Sequence, residues 1–179
     1  MNLTPAQLQT IQTHINASAD MNTRPNDETD EGNVAIVNLF NAPATPNTFW
    51  AWRTDVSFTE ITSNQNDLGV APPADAFNWT TYKNQGTSEI LAFGQMFQGG
   101  RTSFALPNLR SGIGKIHGDA SANTAHCMAI GRRLTKRIEK LLATGTGSTA
   151  SPATFGVGSD GKPTEGVITL AQVSAARNL

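Results

Sequence analysis

The fold is decided by residues 139–155, which read EKLLATGTGSTASPATF. The beginning of this stretch continues a basic amphipathic pattern, and the rest, apart from Phe155, consists of small or hydroxyl-bearing residues and one proline. Glycine commonly ends a helix, and Gly145 stands where a C-terminal cap is expected. The stretch therefore predicts a helix that stops near Thr144 and is followed by an extended segment.

Upstream of Gly145, residues 121–143 carry apolar side chains at helical spacing, which predicts one long amphipathic helix. Its apolar face consists of Cys127, Ile130, Leu134, Ile138 and Leu141. Its other faces carry a cluster of basic residues, namely Arg132, Arg133, Lys136, Arg137 and Lys140. Three uses of this cluster stay open: a solvated surface, an interface with an acidic part of another subunit, or contact with nucleic acid.

Residues 145–179 are expected to form a C-terminal arm. Two short apolar runs flank a turn at 159–163, which predicts a small β-hairpin, and a short helix is expected near the end of the arm. A two-stranded hairpin is marginal alone. Four of its side chains are therefore expected to dock on a neighbouring protein: Phe155, Val157, Val167 and Ile168.

The rest of the chain predicts a helical body over residues 1–144, with an irregular insertion at about 57–87. Thr4 and Pro5 form a cap and first turn, and Leu8, Ile11 and Ile15 follow at the spacing of one buried helix face. Similar patterns predict helices at about 4–17, 30–41, 88–98 and 107–117. The fold class is therefore mainly α: a small helical bundle with a C-terminal extended arm or hairpin.

The formal net charge of −1 hides an uneven distribution of charge. Residues 1–90 carry 3 basic and 10 acidic residues, a net charge of −7, whereas residues 91–179 carry 10 basic and 4 acidic residues, a net charge of +6. Such asymmetry suits either neutralisation inside one fold or subunits that meet positive surface to negative surface in a ring.

Two tryptophans lie beside an arginine in the segment that contains Trp50, Trp52 and Arg53. Large aromatic side chains with a polar edge are common both in cores and as anchors of interfaces, and arginine often stacks on them. Core packing is the plainer interpretation, and an interface anchor is the alternative.

Patterns of catalysis and cofactor binding are not found. The three histidines lie in different segments without metal-ligand spacing, and no glycine-rich phosphate loop or nucleophile elbow occurs. Cys127, the single cysteine, falls on an apolar helix face, where a buried and inert thiol is expected. No segment approaches the roughly 20 apolar residues of a membrane span. We therefore expect no catalytic site, no cofactor and no metal.

Several short motifs, taken together and in order, resemble a family of small virion structural proteins of tailed bacteriophages. They are the opening 3–8, the turn 41–44, the element 52–54, the helix end 137–147, the tract 151–154 and the late stretch 175–177. The layout is also similar to that of head–tail adaptors, which form a ring beneath the portal.

The resemblance implies a non-enzymatic connector subunit that forms a homo-oligomeric ring, with a dodecamer as the expected count, and docks through its C-terminal arm. The implied partners are the portal protein and tail proteins, with nonspecific contact to packaged DNA, and the implied location is the virion, assembled in the host cytoplasm. A capsid decoration or tail-completion protein is the first alternative. A DNA-binding accessory protein that uses the basic helix is the second.

Overall fold

The computed structural model of the chain describes residues 1–26, 31–63 and 77–179. The described residues are rich in helix, as predicted, with a few short strands. The helices are α1 (Pro5–Ala17), α2 (Glu31–Asn41), α3 (Phe58–Ser63), α4 (Trp79–Lys83), α5 (Thr87–Gln95), α6 (Pro107–His117), α7 (Ala122–Ile130), α8 (Arg137–Leu142) and α9 (Leu170–Arg177). The strands are β1 (Trp50–Trp52), β2 (Val56–Ser57), β3 (Arg101–Thr102) and β4 (Arg132–Leu134), and they pair as β1 with β4 and β2 with β3.

The chain divides into two compact units. Unit 1 contains Met1–Ala51 and Leu134–Leu179, and unit 2 contains the continuous segment Trp52–Arg133. This division differs from the expected body over 1–144 and arm over 145–179. The sequence pattern could not indicate it, because unit 1 is assembled from two segments that lie more than 80 residues apart in the chain.

Unit 1 has an aliphatic core to which four helices contribute. Its buried members are Ile11, Ile15, Met21, Ile36, Phe40, Ile138, Leu142, Ile168, Val173 and Ala176. The first helix begins as predicted: the Thr4 hydroxyl accepts a hydrogen bond from the Gln7 N–H, and the Gln7 side chain accepts one from the Thr4 N–H. The second helix also agrees with the prediction, although its expected cap, Asp30, lies outside the described residues.

The expected C-terminal arm is folded into unit 1. Ile168 is 1% exposed, and Val173 and Ala176 on α9 are fully buried. The terminal helix itself was predicted, and its N-terminus is capped by Thr169. The interpretation of this segment as lacking a core was wrong, because the apolar partners of these side chains lie on α1 and α2, at the other end of the chain.

The expected hairpin is reduced to a turn. Gly158 donates a backbone hydrogen bond to Lys162, and a single antiparallel bridge joins Val157 to Pro163. Backbone hydrogen bonds between Thr144 and Thr154 close the preceding loop. These short ladders connect the segment to α8.

The predicted single helix over 121–143 is wrong. It is divided into α7, the strand β4 and α8. A Cβ atom at Gly131 would collide with the Phe104 ring, so the break in the helix occurs where only glycine fits. The helical spacing of apolar residues continues across this break, which is why periodicity alone did not reveal it.

Unit 2 has a core dominated by aromatic rings. Its buried members are Val56, Ile61, Phe77, Tyr82, Phe93, Phe97, Phe104, Ile113, Cys127 and Ile130. The predicted helix over 107–117 is confirmed with the same bounds, and the one expected at 88–98 spans Thr87–Gln95. The insertion expected at 57–87 contains α3 and α4, while residues 64–76 lie outside the described residues. Across the described ranges, no helix combines the length and apolarity needed to span a bilayer.

Candidate functional site: a groove between α1 and α8

One concave surface of unit 1 is a groove between α1 and α8, which we call the α1–α8 groove. One cavity of about 640 Å³ is lined by His14, Asp20, Thr45, Arg137, Lys140 and Leu141. A second cavity of about 390 Å³ is lined by Gln9, Thr10, Thr13, His14, Ala17 and Leu141. His14 and Leu141 line both, so the two cavities form one continuous depression with apolar and polar surfaces.

Two basic side chains from α8 form the charged edge of the groove. Arg137 Nη1 lies 3.0 Å from Asp20 Oδ2, in an ion pair whose two side chains are 25% and 46% exposed. Lys140 Nζ donates a hydrogen bond of 3.1 Å to the backbone carbonyl of Thr45, and it lies 5.8 Å from the centroid of the Phe49 ring. Both cations are therefore positioned by neighbours but remain partly open to solvent.

The position of α8 is set by its N-terminus and by a buried carboxylate. The Arg137 N–H donates to the Ala42 carbonyl over 3.0 Å. Glu139 is fully buried, and its two carboxylate oxygens accept from the Lys136 N–H at 2.9 Å and the Gly166 N–H at 2.7 Å. One side chain thus caps α8 and attaches the C-terminal segment to it.

The electrostatics of the groove favour a neutral histidine and an ionised aspartate. Burial lowers the pKa of His14, the nearby Arg137 charge lowers it further, and Asp20 partly opposes both. The hydrogen bond from Arg137 holds the pKa of Asp20 below its usual value. At neutral pH the groove therefore carries the charges of Arg137, Lys140 and Asp20.

The basic residues predicted to share one helix are distributed over two elements. Arg132 and Arg133 lie on β4 and belong to unit 2, whereas Lys136, Arg137 and Lys140 belong to unit 1. Arg132 is half-buried, and burial lowers its pKa. The expectation of a single five-residue basic helix face is therefore wrong, because β4 interrupts the helix.

The tryptophan and arginine group is mostly internal. Trp50 and Trp52 are half-buried on β1, and the Arg110 guanidinium lies 4.5 Å from the centroid of the Trp52 ring. Arg53 is 3% exposed, and its Nη2 lies 2.6 Å from Glu60 Oε1. Arg53 cannot act as a surface anchor, because it is buried in this ion pair.

The pKa of Glu60 reflects the hydrogen bonds and the positive charge that stabilise this buried carboxylate. Burial alone would raise its pKa, but hydrogen bonds from Ser57 and Arg53, together with the charge of Arg53, outweigh burial and leave the pKa lowered. The Ser57 N–H donates to Glu60 Oε2 over 2.7 Å. The group is a structural element of unit 2.

The four side chains predicted to dock from the arm divide into two pairs. Phe155 and Ile168 are 7% and 1% exposed, so the prediction that they dock on another protein is wrong. Val157 and Val167 are 61% and 48% exposed and remain candidates for contact with a partner.

Three titratable side chains of unit 2, those of Cys127, His117 and His126, are enclosed in its core. Cys127 is fully buried, as predicted, and burial raises its pKa to about 12, so its thiol is protonated at neutral pH. His117 and His126 pack among aromatic rings. Within residues 1–26, 31–63 and 77–179, no three His, Cys, Asp or Glu side chains converge as metal ligands.

Sequence reasoning identified two of the residues that line the larger cavity, Arg137 and Lys140, and missed four others: His14, Asp20, Thr45 and Leu141. His14 is the one polar ring on a helix otherwise described by its apolar face, and Asp20 follows that helix closely. These features were visible in the sequence, but nothing in it indicated that they meet residues 137–141.

In comparison with known proteins, the chain matches no family model, no curated protein and no solved structure.

Proposed function

We propose that the chain is a non-enzymatic structural subunit of a tailed-bacteriophage virion, and specifically a head–tail connector subunit. The observation that carries the proposal is the place of the phage-like motifs in the fold. Five of the six motifs, namely 3–8, 41–44, 137–147, 151–154 and 175–177, belong to unit 1, whereas the element 52–54 belongs to unit 2. Motifs far apart in sequence are thus brought together in one folded unit.

These motifs also make the contacts that hold unit 1 together. The Ala42 carbonyl accepts from α8, and the Asn41 side chain exchanges two hydrogen bonds, of 3.0 and 2.9 Å, with the Ile168 backbone. Arg177 donates to the carbonyls of Arg24 and Pro25. The motifs therefore correspond to positions that the fold requires, which supports a relationship in fold with the family they resemble.

The interaction surface of the proposed subunit differs from the one expected from sequence. With Ile168 and α9 buried in unit 1, the C-terminal segment is not an arm that can extend onto the portal without unfolding part of a core. The α1–α8 groove, together with the exposed Val157 and Val167, is the surface we assign to contacts with neighbouring subunits, the portal or tail proteins.

A DNA-binding accessory role has less support than it had from sequence. Backbone contacts to DNA need several cations that follow the phosphates. Here β4 removes Arg132 and Arg133 from the helix that carries Arg137 and Lys140. A decoration or tail-completion protein would use the same groove with other neighbours.

Mass spectrometry and cryo-electron microscopy of purified particles of the encoding phage test the proposal. A connector predicts on the order of a dozen copies in a ring at the portal vertex, and decoration predicts hundreds on the shell. Absence of the chain from particles would refute the virion role. Copies spread over the shell would refute the connector and support decoration.

A further inference from the structure

The most acidic and the most basic segments of the sequence are complementary. Residues 27–31 hold four carboxylates, and no window of five residues outside this run holds more than one acidic residue. Residues 132–140 hold five basic side chains, and two of them, Arg137 and Lys140, line the α1–α8 groove. Segments of opposite charge steer two surfaces toward each other and set their orientation.

The shape and chemistry of the groove suit an extended peptide. The two cavities form an elongated depression with apolar surface from Leu141 and Ala17. Along α1, the side chains of Gln9, Thr10 and Thr13 line the second cavity and can accept hydrogen bonds from a peptide backbone. The cations lie beside the first cavity, where acidic side chains of the peptide would be placed.

The lining of the groove favours a peptide over a nucleic acid. Asp20 is paired with Arg137 and is 46% exposed, so a phosphodiester backbone with a charge at every nucleotide would be repelled there. Among the described residues, neither cavity is lined by Phe, Tyr or Trp, which single-stranded nucleic acids use as stacking surfaces. An acidic peptide needs only two or three carboxylates near the cations, and it can leave Asp20 in its existing pair.

The acidic run of the same chain is attached at the far end of α2 from the groove. Arg177 donates to the backbone carbonyl of Pro25, just before the run, and to Asn33 in the first turn of α2. The groove lies toward the other end of this helix, because the His14 ring is 5.8 Å from the ring of Phe40. A helix of 11 residues separates these ends by about 16 Å.

The described residues at the two ends of the run are accessible. Asn26, just before the run, and Glu31, its last residue, are exposed, and Glu31 begins α2. A neighbouring molecule can therefore approach these two described residues from outside.

We infer that the α1–α8 groove binds the acidic run 27–31 of a second copy of this chain, with Arg137 and Lys140 pairing with its carboxylates. The two surfaces differ, so the contact is heterologous, and its repetition generates either a ring or a filament. The inference rests on the proposed function for its biological setting, since it supplies the subunit interface that a connector ring needs.

Charge exchange in the full chain tests this interface by sedimentation velocity at low ionic strength. The wild-type chain should associate, and more weakly as salt screens the charges. The variant R137E/K140E and the variant E28K/D30K should each bind a further copy at least about tenfold more weakly. The chain that carries all four changes should recover association.

Two controls separate the interface from general effects of charge and from loss of folding. K115E/K162E changes two exposed lysines by the same total charge and should associate like wild type. If R137E/K140E loses its helical circular dichroism, R137Q/K140Q is used in its place. That variant should also associate more weakly than wild type, by a smaller factor than the charge reversal. A wild-type chain that stays monomeric, or a four-change chain that does not recover, would overturn the inference. Loss of binding to a short DNA oligonucleotide in R137Q/K140Q, without loss of association, would reassign the groove to nucleic acid.

Different experimental outcomes would refute the virion role and the groove interface. A chain that associates through the groove but is absent from particles refutes the virion role and leaves the interface standing. Incorporation of R137E/K140E into particles in normal amount refutes the interface and leaves the virion role standing.

Discussion

Unit 1 and unit 2 differ in the chemistry of their cores and in how the chain supplies them. The core of unit 1 is mainly aliphatic, with Phe40 as an aromatic member, and it joins residues 1–51 to residues 134–179. The core of unit 2 contains five buried aromatic residues and comes from the continuous segment 52–133. Unit 1 therefore depends on contacts between distant segments, while unit 2 depends on ring packing between neighbouring ones.

Removal of residues 145–179 should have the largest effect and should act on unit 1. The deletion removes Ile168, Val173 and Ala176 from its core, and burial of each large aliphatic side chain contributes roughly 1.5–3 kcal/mol. Together with the lost contacts of α9, this approaches the whole stability of a small domain. Hydrogen exchange should show lost protection in 5–17 and 31–41 and retained protection in 107–130.

A chain that lacks only Leu179, which is 60% exposed, is the control and should behave like wild type. Retained protection of α1 and α2 in the longer truncation would instead support the arm that the sequence predicted.

The sequence predicted the elements that depend on local signals and missed the features that depend on distant residues. Helices α1 and α6 were found because Thr4 with Pro5, and Pro107, are local signals that belong to the helix itself. The packing of α9 was missed because its apolar partners lie more than 130 residues away. The break at Gly131 was missed because the helical spacing of apolar residues continues across it, and the Phe104 ring that leaves no room for a Cβ atom there is distant in sequence.

The candidate groove was predictable only in part for the same reason. Arg137 and Lys140 were singled out by their charge, but Asp20 and His14 meet them through tertiary packing. A single sequence contains no signal for a contact across about 120 residues. The charge asymmetry of the chain was the one global indication that the cations have acidic counterparts.

The buried ion pair of unit 2 should show the next largest effect. The change Arg53→Met leaves the Glu60 carboxylate, 7% exposed, without its cation and should destabilise unit 2 by about 3–5 kcal/mol. The double change Arg53→Met with Glu60→Gln removes the buried charge as well and should cost less. Urea unfolding followed by tryptophan fluorescence measures both. Equal losses in the single and double variants would show that packing of Arg53, not its charge, matters.

His117 should contribute to the decrease in the unfolding free energy of unit 2 at acid pH. This side chain is 7% exposed, Gln85 Nε2 lies 3.0 Å from its Nδ1, and its Nε2 has no hydrogen-bond partner among the described residues. Burial lowers its pKa below the usual 6.5. The unfolded chain therefore takes up a proton first as the pH falls, and the free energy of unfolding decreases below about pH 6.5.

The change His117→Asn tests this component through the slope of stability against pH. Its unfolding free energy should vary less between about pH 6.5 and 5 than that of wild type, whatever its absolute stability. Lys115→Gln, on the exposed side of the same helix, should leave the slope unchanged. Parallel slopes for wild type and His117→Asn would exclude His117 as a source of acid sensitivity.

The exposed ion pair of unit 1 should show the smallest effect. Asp20→Asn removes the partner of Arg137, but both side chains are partly solvated, so the loss should be below about 1 kcal/mol. Thermal unfolding at low and at high salt measures it, and salt should reduce the difference from wild type. If Asp20→Asn destabilised the chain as much as Arg53→Met, the groove would contribute more to the stability of unit 1 than its solvent exposure indicates.

The discontinuous order of unit 1 has a consequence for synthesis on the ribosome. Its first two helices emerge early, but Val173 and Ala176 follow about 120 residues after the end of the first segment. At roughly 5–20 residues per second, this leaves an interval of about 6–25 s in which the apolar faces of α1 and α2 lack their partners. Unit 2 can fold within that interval, so we expect it to fold before unit 1 in the nascent chain. Ile11 and Ile36 are then expected to need protection by chaperones until the C-terminal segment has been synthesised.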